Sequence, residues 1–302
     1  MNISILTFNN KVGILTDAML LQTLFEKNNI NSRVSFLENK ESIQSSDIGI
    51  WIQNVCTDMM DKFKINIFYI NEEWYHSPNS CLSMFDYVIC KSQYAKNTFF
   101  KDISNVIHIP FFSKNLYDGS IARKNEYFHF KGRSIQKNTE VLLKLKLPFT
   151  LHDPDNIYKI LPNNINHINS YLPNDHIKHI LNEYNIHICS SLYESWGHYT
   201  FEGLSTGAEI ICSDIPIFRE HLDPDLVHFI PTYKGVDLNY KYCKDNIDNL
   251  YPLRESYFIN VDYLKELVEE FKPKGTPYMR RMLYKSIMEK SKKLMIDFFK
   301  NL

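Results

Sequence analysis

Glu194 and Glu202 stand with seven residues between them, and Gly197 lies in that interval. Earlier in the chain two cations, Arg133 and Lys137, follow Gly132 four residues apart. A guanidinium offers a planar fork to two oxygens, and a lysine adds a mobile point charge, so this pair could neutralise a diphosphate. Carboxylates can accept hydrogen bonds from sugar hydroxyls or steady a developing positive charge. Each pair alone has an ordinary reading: a Glu pair is more often a helix cap and a solvated carboxylate, and cations near a helix start are usually solvated. Together they describe a place for a sugar carrying phosphates.

The elements around them fit that chemistry. Residues 186–190 are an apolar strand, a loop carries Glu194, a helix starts near His198 and stops near Gly207, and 210–212 form the next strand. That is a parallel crossover, and its loop and helix start lie at the carboxyl edge of the sheet, where ligands bind. Backbone N–H groups of Gly197, His198, Tyr199 and Thr200 would open the helix, with its dipole favouring an anion. Glu202 falls in the first helical turns. Residues 127–131, the turn 132–138 and a helix over 139–145 repeat the strand, turn, helix order around Arg133 and Lys137.

The stretch YESWGHYTFEGLSTGAEIICSD, residues 193–214, resembles the donor-site signature of retaining GT-B glycosyltransferases, in particular family four. Its pattern is E-S-F-G-x-x-x-x-E-A-M-A-x-G-x-P/A-V-I-A-S-D. Glu194, Ser195, Trp196, Gly197, Glu202, Gly207, Ser213 and Asp214 fall in register without a gap. The resemblance implies that Glu194 approaches the donor sugar, Glu202 binds the ribose, and the amides of Gly197 to Thr200 lie near sugar and phosphate. The Arg133 and Lys137 turn resembles the G-R/K-…-K-G motif of the same group, with shorter spacing and Asn138 for the frequent Gly. It further implies that the base lies against the loop at Tyr171 and Leu172. The departures are His198, Tyr199 and Thr200 where the family is usually apolar, and Gly203 for the common Ala.

The first half carries the same alternation. Strand patterns at 3–8, 33–37, 48–53, 65–70 and 87–90 alternate with a helix over 16–27 and other helical segments, which predicts a small parallel α/β domain. Its first turn holds Lys11 and Gly13 but no G-x-G-x-x-G fingerprint. Residues 71–76, a polar and aromatic cluster past a strand, are where an acceptor would be held, with Glu73 and His76 as candidates beside Lys11 and Gly13. An exposed loop with an aromatic plug is an equal reading. Ser92 is as readily a helix cap as a ligand, and His108, among apolar neighbours, is structural. His176 and His179 lack a third ligand, so no metal site is expected.

The resulting expectation is an α/β protein of GT-B type: two facing Rossmann-like, doubly wound domains with a cleft between them. Residues 1–112 form the acceptor side and 113–277 the nucleotide-sugar domain, while the helix 278–302 packs back on the first. The 223–253 stretch, rich in Tyr, Asn and Asp, has no clear assignment. The implied activity is a metal-independent retaining hexosyl transfer from a nucleotide sugar, UDP- or GDP-linked, to a carbohydrate-type acceptor, with no cofactor. A non-catalytic sugar-nucleotide or glycan-binding module, and a GT-B epimerase or phosphorylase, stay open as alternatives.

Composition bounds the rest. At 302 residues the chain can hold two cores, and a formal charge of −1 argues against a nucleic-acid surface. The six cysteines show no Cys-x-x-Cys pair, which points to reduced thiols and a cytoplasmic location. No apolar run reaches membrane-span length and no signal peptide opens the chain, although a peripheral membrane contact is left open.

Overall fold

The structure is a computed structural model that describes residues 1–9, 13–75, 77–145, 147–236 and 255–302. It divides into two compact units. Met1–Phe112 and Met288–Leu302 fall in the first, and the described stretches from Ser113 to Ile287 fall in the second.

In the first unit β1 (Asn2–Thr7), β2 (Asn31–Phe36), β3 (Ser46–Ile52), β4 (Phe63–Tyr69), β5 (Tyr87–Cys90) and β6 (Val106–His108) form a parallel sheet in the order β2-β1-β3-β4-β5-β6. Central strands covered on both faces must be apolar nearly throughout, and in β1 every residue after Asn2 is buried. Helix α1 (Gly13–Glu26) packs against this sheet, and the short α2 (Gln93–Thr98) follows β5. A core of Leu6, Trp51, Phe68, Val88 and their neighbours fills one face. Trp51 is fully buried, and its indole N–H is satisfied by Asn66 Oδ1 at 2.9 Å.

In the second unit the strands are β7 (Lys124–Phe130), β8 (Phe149–His152), β9 (Ile165–Ile168), β10 (Tyr184–Cys189), β11 (Glu209–Ser213) and β12 (His228–Ile230). They pair in parallel in the order β12-β11-β10-β7-β8-β9. Read from β9, this is the strand order of a dinucleotide-binding sheet, reversing direction between β7 and β10. The helices are α3 (Thr139–Lys144), α4 (Asn174–Glu183), α5 (His198–Thr206), α6 (Pro216–His221) and α7 (Val261–Glu269). The last helix, α8 (Pro277–Lys300), is divided between the units after Ile287. Within the first unit its Phe299 meets Phe25 of α1 edge-on, ring centres 4.8 Å apart.

One element has no counterpart in the sequence reading. β13 (Thr232–Val236) and β14 (Glu255–Ile259) pair antiparallel, flanking residues outside the described set. Among the described residues no helix is long and apolar enough to cross a membrane.

Candidate functional site

The switch point of the second sheet lies between β7 and β10, and the turn after β7 meets the loop after β10 there. Leu192 N–H donates to Gln136 O at 2.8 Å, and Ser190 Oγ donates to Lys137 O at 2.8 Å. These bonds, one between backbones and one from a serine side chain to a backbone carbonyl, stitch the two loops together. Their side chains then meet: the Lys137 ammonium is paired with Glu194 Oε1, which also accepts from Ser191 Oγ at 2.6 Å. The pair is only partly covered, with 16% of the lysine side chain and 10% of the glutamate exposed. Tyr257 of β14 supports the loop from outside by donating its N–H to Leu192 O at 2.8 Å.

Helix α5 starts under that loop. Gly197 caps it at φ +87°, a left-handed conformation that a side chain disfavours, and a Cβ there would lie 2.7 Å from the Phe218 ring. No side chain caps the helix. The Gly197 and Tyr199 amides have no protein acceptor among the described residues. Thr200 corrects the expectation for the fourth donor: its N–H donates to Gly197 O at 3.0 Å and its side chain is buried. The first turn has already closed at that residue. The Tyr199 ring is buried too, its hydroxyl donating to Phe128 O at 2.9 Å, so only its backbone faces the helix start. His198 is tied through Nδ1 to Ser113 Oγ at 2.9 Å, and the same oxygen accepts from Trp196 Nε1 at 2.9 Å. Tyr284 of α8 donates to Ser113 O at 2.9 Å.

Glu202 lies one turn beyond His198 on the same face of α5, half-buried. Burial raises its carboxyl above the ordinary range, opposed by the charges of His198, Lys114 and Lys137 and by the backbone N–H of Lys114. Beneath the helix, His187 of β10 is fully buried and its pKa is lowered to about 3 by desolvation. A Cβ on Gly203 would come within 2.8 Å of its Nδ1, which explains glycine where the resembling signature carries alanine.

Arg133 is placed differently from Lys137. It is half exposed and donates from Nε to Asp155 Oδ2 at 3.3 Å, while the Tyr171 hydroxyl donates to Oδ1 of the same carboxylate. Leu172, the other base-side candidate, is half-buried next to it. Asn138 sits at φ +52°, so the position does require a residue that tolerates the left-handed region, and Asn is one.

On the acceptor side, Gly13 begins α1 in open space, with nothing within 4 Å of an added Cβ. Glu73 is buried with Glu72 in a single 3-10 turn, which overturns the exposed-loop reading of that segment. Lys11 and His76 lie outside the described residues. Ser92 is a helix cap, accepting from Ala95 N–H at 2.9 Å. Neighbouring Lys91, not singled out from sequence, pairs with Asp17 at 2.7 Å and with Asn71. Among the described residues no three His, Cys, Asp or Glu side chains cluster as a metal site.

Ser191, Ser113, Asp155 and Tyr257 also escaped the sequence reading. The serines give no periodic or motif signal, Asp155 lies in a D-P-D turn, and Tyr257 acts through its backbone.

No family model and no curated protein sequence matches the chain. Solved structures do. HepE of Anabaena, in complex with UDP and glucose, superposes with a TM-score of 0.64 at 13% identity over 100% of both chains. Sucrose-phosphate synthase of Thermosynechococcus elongatus gives 0.62 at 12% identity, over 100% of this chain and 98% of that one. The lipopolysaccharide outer core galactosyltransferase WaaB, in its apo form, gives 0.61 at 14% over 100% of both. With two doubly wound parallel sheets and these likenesses, the chain has the GT-B fold of glycosyltransferases.

Proposed function

We propose that the protein is a retaining glycosyltransferase of the family-four type that moves a hexosyl group from a nucleotide sugar to a carbohydrate-type acceptor. The observation that carries this reading is the meeting of Lys137 and Glu194 at the switch point, directly beside the uncapped start of α5. The same edge carries the half-exposed Arg133. Solved complexes of a similarly folded protein, HepE, contain UDP, which favours UDP over GDP as the donor's nucleotide.

Transfer breaks the bond between the anomeric carbon and the diphosphate, and negative charge grows on the leaving oxygen. Lys137, Arg133 and the Gly197 and Tyr199 amides would receive that charge, a contribution of prearranged electrostatics that needs no group to move far. Glu194 keeps Lys137 in place in the free protein and would face the sugar as positive charge develops on it. Glu202 would hold the ribose diol. The acceptor hydroxyl forms the new bond as its proton passes to the departing phosphate, so the nucleoside diphosphate leaves with the electron pair. Retention places attack on the face from which the diphosphate departs. The acceptor would be held by the first unit, where Gly13, Lys11, Glu73 and His76 are the candidates.

The test is donor turnover on a panel of UDP- and GDP-sugars, followed by NMR of the anomeric proton. The expected product keeps the donor's anomeric configuration. Unchanged turnover in both Arg133→Ala and Glu194→Gln would refute the assignment, and an inverted product would refute retention.

A further inference from the structure

Three loops at the edge of the second sheet converge on one carboxylate. Asp155 follows β8, Tyr171 follows β9, and Arg133 sits on the turn after β7. These strands are neighbours in the sheet, so the three side chains rise side by side. Arg133 donates to one Asp155 oxygen through Nε, and the Tyr171 hydroxyl donates to the other. The Arg133 and Tyr171 side chains are otherwise open, with 51% of the arginine side chain and 63% of the tyrosine exposed.

An ion pair this exposed contributes about 0–1 kcal/mol to folding, so stability does not account for it. Its geometry does something else. A guanidinium carries five N–H groups, and Asp155 engages only the one on Nε. The two NH2 groups have no protein acceptor among the described residues, and they form the fork that meets two phosphate oxygens. The Tyr171 hydroxyl is held while the ring face stays uncovered, which suits a stacked base. The Asp155 carboxylate is kept below its ordinary range by the Tyr171 hydroxyl and then by Arg133, so it is charged when it holds them.

We infer that Asp155 is a positioning residue for a nucleoside diphosphate: it anchors Arg133 by Nε, leaves the NH2 fork free for phosphate, and couples that fork to the Tyr171 ring. This inference rests on the proposed nucleotide-sugar reading. It concerns a residue that does not touch the ligand itself, and it separates the two halves of recognition, phosphate and base.

The experiment is calorimetric titration of the full chain with UDP, GDP, inorganic pyrophosphate and uridine. Asp155→Ala should weaken UDP and pyrophosphate roughly tenfold, the effect of losing about one charge-assisted contact, and weaken uridine only a few-fold, the effect of releasing the Tyr171 hydroxyl. Asp155→Asn, whose amide oxygen can still accept from Nε, should fall between wild type and alanine. Tyr171→Phe keeps the ring and should weaken UDP only a few-fold. In an Arg133→Ala background Asp155→Ala should have no further effect on pyrophosphate.

Tighter UDP binding by Asp155→Ala would overturn the proposal, because the carboxylate would then be competing with phosphate for the guanidinium. Equal losses for uridine and pyrophosphate, or the same loss without Arg133, would show a merely structural role and overturn it as well. Wild-type protein that binds neither UDP nor GDP would sink the functional reading along with this one. Wild-type binding that Asp155→Ala leaves unaltered sinks this inference alone.

Discussion

Each unit places a lysine–carboxylate pair just past the strands of its parallel sheet, and the two pairs differ in one respect that decides their use. Lys91 and Asp17 are sealed, each with 3% of the side chain exposed, and Asn71 and the Phe111 ring crowd the same ammonium. Lys137 and Glu194 keep an open side. A sealed pair can exchange its partner for nothing, so it holds three segments of the first unit together. An open pair can trade part of its mutual contact for a ligand. An ammonium and a carboxylate thus serve as a fastener where solvent is shut out, at Lys91 with Asp17 and again at Lys131 with Asp153 of the second unit, and as a candidate receptor where one side stays open.

The comparison breaks most readily at Lys91. Lys91→Met would leave the Asp17 charge buried without its counter-ion and should cost about 3–5 kcal/mol in urea denaturation. A loss below about 1 kcal/mol would mean that the first unit does not depend on the pair. At the open pair the expected effect is on rate. Glu194→Gln should lower donor turnover by about 10²–10³-fold, comparable to removing one aimed polar group from an active site, with a smaller change in stability than Lys91→Met.

Acid offers a third test, read most strongly in the second unit. His129 and His187, both in the second unit and buried, have pKa values lowered by desolvation to about 4 and about 3. Because the folded values lie below the unfolded one, their effect is absent above the ordinary histidine pKa of about 6.5 and grows as pH falls, since the unfolded chain gains the proton first. At pH 5 each should have removed about 2 kcal/mol of stability, at about 1.4 kcal/mol per pH unit. Denaturation followed at pH 7 and pH 5 checks this, and His187→Phe should flatten part of the slope. If the loss persists unaltered in that variant, the acid response belongs elsewhere.

The smallest expected effect is at Gly203. Gly203→Ala should cost about 1–2 kcal/mol by forcing the helix off His187, and a smaller residue at 187 should restore part of it. Thermal melts of the single and double variants test this. Independent, additive losses would show that the two positions are not in contact in solution.

How much of this was legible in the sequence differs element by element. Strand β5 occupies the predicted residues 87–90, because an apolar run between polar neighbours can do little else in an alternating chain. The segment carrying Glu194, Gly197, Glu202 and Gly207 was legible because each residue answers a local demand: a loop past a strand end, a left-handed cap, a helical face, a helix stop. Thr200 was misjudged because counting helix-start amides does not show which one the first closing turn consumes. The β13 and β14 pair was invisible because its strands lie far apart in sequence, and antiparallel pairing across a long gap leaves no short-range signal. Asp155 was missed for a related reason: its partners come from three separate loops, which only the strand order brings together.

Gly203 and His187 also constrain the order in which this chain can change. An alanine at 203 is obstructed while histidine stands at 187, whereas a smaller residue at 187 opens a void until 203 is filled. A lineage moving between glycine with histidine and alanine with something smaller therefore crosses a less stable intermediate in either order. The two sites behave as one heritable unit, and substituting either by reference to a related protein misjudges both.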